Sequence, residues 1–356
     1  MEQSTYNHIK QLIADSGLIH PKRNAKKNYQ NFNFENETIL ITGAAGTIGS
    51  ELAKHLLSCN YKKLILMDCA ESPLYNLIKS FENENVSAVE FLLSNVNDEN
   101  AMEWLFEAHK PTLIFHVAAY KHVPLMEAHP YEAVKTNCVA TKFLADLAIK
   151  HEVKKFIFIS SDKAVNPISV MGMTKCIAEN YLMQLKQQNT TRFSIARFGN
   201  IMGSNGSVLP LFISQIDSGM PLTITDKHIT RYFIDKHKAC NLILQITAFD
   251  THDTTMFTFD MGTPIKLMDL ANTLLSMYAE KNETIEIKIT GLRPGEKFDE
   301  ELISKDEIVL PTENRNIFFV SKNNKKNLKT IDFQKLKNIT PYLPPQEIRT
   351  ILMDFI

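Results

Sequence analysis

TILITGAAGTIGSELAKHLL, Thr38–Leu57, passes from a β-branched stretch that suits a strand into a helical pattern, with glycines at 43, 46 and 49 between them. Small residues at G-x-x-G-x-x-G spacing let backbone amides approach a pyrophosphate, and a helix that opens there adds its positive end. Outward from this unit the rhythm repeats. "KKLILMD" is a second strand, "SPLYNLIKSFEN" a helix, "AVEFLLSN" a third strand, "ENAMEWLFEAHK" a helix and "PTLIFHVAA" a fourth strand. A helical stretch over 132–151 leads to "KKFIFISS", to the helix that contains Lys175 and to "RFSIARFGN". Strands that alternate with helices in this way form right-handed βαβ units on a parallel sheet. The fold class is α/β, a doubly wound parallel-sheet Rossmann domain over residues 37–200, with returning segments near 228–260.

Past Asn200 the elements shorten and glycine and proline become frequent. Residues 201–356 are expected to form mainly a smaller α/β substrate domain over the carboxyl ends of the strands, where open α/β sheets bind ligands. The tail after about Lys305 is polar and patchy. Residues 1–36 read as a short amphipathic helix, with Ile9, Leu12 and Ile13 at helical spacing, and a basic linker. The helix either packs on the main domain or a partner, or is a disordered leader.

The 356 residues are 44% apolar and 22% charged, with a formal net charge of -1, which gives no reason to expect a nucleic-acid partner. Cys59, Cys69, Cys138, Cys176 and Cys240 are scattered and form no Cys-x-x-Cys pair, so neither a disulfide frame nor a zinc site is expected. No run approaches the ~20 apolar residues of a membrane span, and a cytoplasmic location is expected.

In the opening unit, Gly43, Ala45, Gly46, Thr47, Ile48 and Gly49 are placed to contact a dinucleotide. Asp68 ends the second strand, where a carboxylate accepts ribose hydroxyls and repels a ribose phosphate, which favours NAD over NADP. Asn95 after the third strand either meets an adenine amino group or is a plain turn residue. Val96 beside it, and Ala118, Ala119 and Lys121 after the fourth strand, complete the expected cofactor contacts. Ser161, Asp162 and Lys163 follow the fifth strand, at the edge where acid/base groups can reach a reacting centre. Met171 stands four residues before Lys175, at a spacing that usually carries a proton-accepting tyrosine in nucleotide-binding α/β chains. A thioether is only a weak acceptor, so Met171 reads as a core residue at a helix start.

Together these residues resemble an extended short-chain dehydrogenase/reductase and, more narrowly, the bacterial UDP-N-acetylglucosamine 4,6-dehydratases of surface glycan synthesis, in the branch with methionine before the lysine. The resemblance runs from about Glu37 to Ile303. It rests on "TGAAGTIGSEL", "HVAAYKHVPLME", "KTNCVAT", "ISSDKAVNP", "MGMTK", "RFGNIMGSNGSVLPLF", "PLTITDKHITRYF" and "LRPGEK". Asn95 departs from it, since the family commonly has aspartate there. The chain reads as a free-standing version of the catalytic part of the large membrane-anchored dehydratases.

The resemblance implies NAD as cofactor, UDP-N-acetylglucosamine as substrate and an internal redox cycle. Hydride leaves carbon 4 for NAD, the carbon-5 proton is removed, the carbon-6 hydroxyl departs as water, and the hydride returns to carbon 6. Lys163 is implied as the base at carbon 5, Asp162 as the acid for water departure, Ser161 as a partner of the carbon-4 oxygen and Lys175 as a ligand of the nicotinamide ribose. A basic Lys163 needs a lowered pKa and an acidic Asp162 a raised one, so the two side chains are expected to point to different atoms of the sugar. The backbone of Leu222, Thr223 and Thr225 is expected to pair with uracil, and Asn200, Ser207 and Val208 to hold the pyrophosphate. Arg231 and Arg293 offer planar forks for phosphate, or else form surface ion pairs. Glu296 is expected near the nucleotide ribose, and Lys121, His122 and Met171 around the sugar.

The leading outcome is retention at carbon 5, a D-xylo product. Inversion to L-arabino and a non-catalytic NAD-binding sensor are the alternatives, and a 4-epimerase is disfavoured because it relies on the tyrosine that Met171 replaces. A homodimer or higher homo-oligomer is expected through Glu132–His151 and Met173–Lys186, whose apolar stripes could instead serve only the subunit core.

Overall fold

The computed structural model describes residues 1–19, 30–185, 190–250, 254–278, 285–322 and 331–356. Residues 20–29 of the basic linker, Lys186 and residues 323–330 of the polar tail lie outside the described residues. The first strands are β1 (Asn33–Thr42), β2 (Asn60–Asp68), β3 (Val89–Leu93), β4 (Leu113–His116), β5 (Lys155–Ile159) and β6 (Arg192–Arg197). They join a nine-stranded sheet in the order Glu307–Pro311, Ile317–Lys322, Thr255–Phe259, β6, β5, β4, β1, β2, β3. From Thr255–Phe259 to β3 every pairing is parallel, and the other two strands attach antiparallel at the edge. The expected doubly wound α/β fold is present.

The sheet is buried on both faces, which explains its continuous apolar strands. Alternate side chains enter opposite layers: Ile39, Ile41, Leu64, Phe115 and Ile157 pack on one side, and Leu40, Ile65, Ile114, Phe156 and Phe158 on the other. Each such side chain contributes roughly 1.5–3 kcal/mol of burial. β1 lies between β2 and β4, so the strand order reverses there and opens a crevice at the carboxyl ends.

A second body covers that end. Its core joins Met202, Leu209, Phe212, Ile224, Leu270 and Leu274. Ile9, Leu12 and Ile13 of the helix Gln3–Ser16 are buried in the same cluster, so the amphipathic N-terminal helix packs on this part of the chain. The tail differs from expectation. Glu307–Pro311 and Ile317–Lys322 return to the large sheet, because Ile317 fills one of its layers and Val320 the other. Phe333–Lys337 and Pro345–Met353 are helices whose Leu336, Ile348 and Leu352 pack with Val134, Cys138, Met173 and Ile177. The apolar stripes expected to form a dimer contact are therefore covered in part by the chain's own C-terminal helices.

Candidate active site

The glycine turn sits between β1 and the helix Thr47–Leu56, as its spacing predicts. A Cβ on Gly49 would lie 2.1 Å from the Gly43 carbonyl oxygen, so only glycine lets the helix start this close to the strand. Gly46 is the N-cap and provides no side-chain cap, which leaves the first-turn amides for an anion. Asp68 accepts from the Ala45 amide at 2.9 Å and from the Ala70 amide at 2.9 Å, and so ties the glycine turn to the end of β2. Thr47 and Ile48 are half-buried, and the Thr47 hydroxyl accepts from the Asn205 amide at 3.2 Å. That contact brings the glycine turn against the loop before Ser207. Asn95 is exposed and accepts from the Asn97 amide at 2.9 Å, which makes it a turn residue here. Val96 is buried among Leu40, Ile65 and Met67.

Ala118 and Ala119 follow β4, and the Ala118 amide donates to Thr42 Oγ1 at 3.3 Å. The next residue is held by one that sequence reasoning missed. Asn137 accepts from the Tyr120 amide at 2.9 Å and donates to the Tyr120 carbonyl at 3.0 Å and to Thr174 Oγ1 at 3.1 Å. It can do so because Val134–Val139 is a π-helical turn, an irregularity common at functional sites. Lys121 and His122 come next, both exposed, and desolvation lowers the pKa of each. The His122 ring lies against Gly206, where a Cβ would come within 2.4 Å of it.

Ser161, Asp162 and Lys163 form a short 3₁₀ turn after β5, capped by Ser161 Oγ, which accepts from the Lys163 amide at 3.3 Å. Asp162 is 0% exposed. Ser161 Oγ donates to its Oδ1 at 2.9 Å and Lys163 Nζ donates to the same oxygen at 3.0 Å. Lys163 Nζ also donates to Asn200 Oδ1 at 3.1 Å and lies 3.5 Å from Glu300 Oε1. The expectation that Asp162 and Lys163 point apart is thus corrected: they pair directly. Burial alone would lower the Lys163 pKa, but the charges of Asp162 and Glu300 outweigh it and raise it, the reverse of the expected direction. Asn200, expected at a pyrophosphate, joins this cluster. Glu300 was not anticipated; it lies three residues past the last residue of "LRPGEK", in the "EEL" that follows.

The helix Val170–Gln184 carries Lys175 to the same place. Ser169 caps it by accepting from the Gly172 amide at 3.0 Å. A Cβ on Gly172 would lie 2.2 Å from the Lys163 carbonyl, so this glycine lets the helix touch the turn that bears Lys163. Lys175 is buried, donates to the Ile159 carbonyl at 2.8 Å and lies 4.4 Å from the Phe158 ring centre. Burial lowers its pKa to about 8, against the opposing pull of Glu179 and Cys138. Met171 is 3% exposed in an apolar cluster with Met126, Ala133 and Ile177, a core position rather than an open pocket wall.

Several expected nucleotide contacts are engaged within the chain. Leu222–Ile224 pairs with Ile287–Ile289 on one edge, and the Thr223 amide donates to Gln215 Oε1 at 3.1 Å, which takes a group expected to meet uracil. Thr225 Oγ1 donates to Glu296 Oε1 at 3.2 Å. Arg231 is 6% exposed and donates to the carbonyls of Thr230, Phe298 and Lys297 and to Glu296, so its fork braces the "RPGEK" segment instead of standing open to phosphate. Arg293 is exposed and pairs with Glu296 at 3.3 Å. Burial would raise the Glu296 pKa, but Arg293 and Arg231 hold it below the usual carboxylate range. Ser207 occupies the N-cap position of the helix Val208–Asp217 without capping it, and its buried hydroxyl makes no hydrogen bond among the described residues.

Elsewhere, potential ligand atoms of Glu51, His55 and His237 lie within 4.8 Å of one another. His55 Nε2 and His237 Nδ1 are 2.8 Å apart and Glu51 Oε1 is 3.4 Å from His237 Nδ1, so both contacts converge on one ring nitrogen of His237. Among the described residues, no helix is long and apolar enough to cross a membrane.

The chain is similar to known proteins over both the sheet and this site. It is 43% identical to the capsular polysaccharide biosynthesis protein CapD of Staphylococcus aureus over 77% of this chain and 46% of CapD, so it spans about half the length of that relative. It is 32% identical to a UDP-glucose 4-epimerase of Rickettsia rickettsii, over 77% of this chain and 80% of the epimerase. Among solved structures, Pen from Bacillus thuringiensis superposes with a TM-score of 0.75 at 30% identity, over 90% of this chain and 98% of Pen. Residues 39–322, which hold the glycine turn, the Ser161–Lys163 turn and Glu300, match the family described as "Polysaccharide biosynthesis protein", and the chain belongs to that family.

Proposed function

We propose that this chain is an NAD-dependent 4,6-dehydratase of UDP-N-acetylglucosamine that retains the configuration at carbon 5, acting in surface glycan synthesis. The observation that carries this reading is the Ser161–Asp162–Lys163 cluster around the buried Asp162 at the carboxyl end of β5, with Lys175 bound to the Ile159 carbonyl at the end of the same strand. Bound NAD would accept hydride from carbon 4 and return it to carbon 6. The glycine turn with its uncapped helix start, and Asp68 at the end of β2, suit a dinucleotide without a ribose phosphate.

In this reading Ser161 and Asp162 hold the carbon-4 oxygen, and Asp162 takes the hydroxyl proton as hydride leaves carbon 4 and passes it to the departing carbon-6 hydroxyl. Lys163 takes the carbon-5 proton once carbon 4 is a ketone and returns a proton to carbon 5 when hydride reaches carbon 6. For that it must release the ion pair with Asp162, and a sugar entering between the two side chains would separate them. The Ser207 hydroxyl and the first amides of Val208–Asp217 suit a pyrophosphate.

Incubation with UDP-N-acetylglucosamine in heavy water, followed by proton NMR, tests the reading. A 4-keto product with deuterium at carbon 5 and D-xylo geometry is expected. L-arabino geometry would replace retention with inversion. The likeness to a named 4-epimerase makes a 4-epimer the second reading, although Met171 supplies no phenol for that reaction. Unchanged substrate with bound NAD would identify a sensor.

A further inference from the structure

We infer that Glu300 is a positioning residue for Lys163: the second carboxylate that holds its amine over the Ser161–Asp162 turn and sets the pH at which that amine becomes a base. Its kinetic consequence rests on the dehydration reading above; its effect on Lys163 does not.

Glu300 is 7% exposed, with Oε1 3.5 Å from Lys163 Nζ. The ammonium therefore faces three oxygens, from Asp162, Asn200 and Glu300, one for each proton it can donate. Asn200 contributes only a dipole. The other charged groups facing the pair are committed elsewhere: Lys297 donates to the Val165 carbonyl at 2.7 Å and lies 4.0 Å from Glu300 Oε2, while Arg231 is tied to Glu296 and three carbonyls. Asp162 and Glu300 are thus the two negative charges that hold Lys163, and they reach it from opposite parts of the chain. Glu300 Oε2 and Asp162 Oδ2 are both buried and accept no hydrogen bond among the described residues, so the cluster keeps acceptor capacity for a sugar hydroxyl or a transferred proton. Burial, aided by the charge of Asp162, raises the Glu300 pKa against the opposing effect of Lys163, Arg231 and Lys297.

Removing a negative charge beside an ammonium lowers the ammonium's pKa, by about 1–3 units at such distances. Lys163 acts as a base only when neutral, so the acidic limb of kcat/KM for UDP-N-acetylglucosamine should move to lower pH by that amount in Glu300→Gln and in Glu300→Ala. Glu300→Asp keeps the charge and should restore most of the shift. The second readout needs no turnover: the Nζ resonance of Lys163 in protein labelled with 15Nζ-lysine, identified by its loss in Lys163→Met, should titrate at lower pH in the Gln and Ala variants than in the unaltered protein. Lack of turnover in the unaltered protein would remove the dehydration reading and leave the lysine titration to decide the role of Glu300. An unchanged Lys163 titration in the Gln or Ala variant, or an Asp variant that titrates like Gln, would overturn the inference.

Discussion

Lys175 is a cation that the fold holds out of water, with one carbonyl, one aromatic ring and the charge of Glu179 as partial compensation. Its folded pKa of about 8 lies below the ~10.4 of an unfolded lysine. The unfolded chain therefore binds more protons between these values, and this group's contribution to stability rises with pH across that window. In urea unfolding, the stability of the unaltered protein relative to Lys175→Met should increase from pH 8 to about pH 10.5; a flat difference would mean that Lys175 is not held at a depressed pKa. Much of the candidate site was legible one residue at a time. "SDK" and "MGMTK" named Asp162, Lys163 and Lys175, because a turn after a buried strand places polar groups at the ligand edge whatever the rest of the chain does. The geometry of the Lys163 amine was not legible, since besides Asp162 it meets Asn200 and Glu300, which arrive from more than thirty residues away.

Helices and strands around the site are fastened to one another by a buried ionic group. Arg197 at the end of β6 donates to Glu179 of the helix Val170–Gln184 at 2.6 Å and to Glu307 of the edge strand at 2.8 Å, and Ser160 Oγ donates to Glu179 at 2.6 Å. One guanidinium thus joins the helix that bears Lys175, the sheet and the returning tail. Arg197→Met would leave two buried carboxylates without their cation and should cost about 3–5 kcal/mol, read from the chemical denaturation midpoint. A cost below about 1 kcal/mol would show that the group is dispensable. Most parallel-sheet elements could be read from β-branched runs and helical spacing, as with Thr38–Thr42 and Thr47–Leu56. The π-helical turn Val134–Val139 could not: its sequence has ordinary helical periodicity, and the turn widens where Asn137 reaches Tyr120 and Thr174.

Across the molecule, both chain ends are used as packing material. The N-terminal helix fills the second body, and the C-terminal helices cover Val134, Cys138 and Ile177. Arg349 secures the last helix by donating to Glu127 at 2.8 Å and to the Ile168 carbonyl at 2.6 Å, beside the start of the Lys175 helix. Leu352 is 0% exposed in this cluster, and Leu352→Ala should lower stability by about 2–5 kcal/mol in urea unfolding. A near-zero change would mean that the C-terminal helix is only loosely seated. The amino-acid order by itself determined the doubly wound sheet, the glycine turn and the polar turn at Ser161–Lys163, because each follows from local periodicity and from residues adjacent in the chain. Only the tertiary structure decided that Asp162 and Lys163 pair, that Arg231 is a brace, that Glu300 lies beside Lys163 and that the expected dimer stripes are covered in part. Those outcomes depend on which distant segments compete for the same buried charge or apolar surface, and that competition is settled only when the whole chain packs.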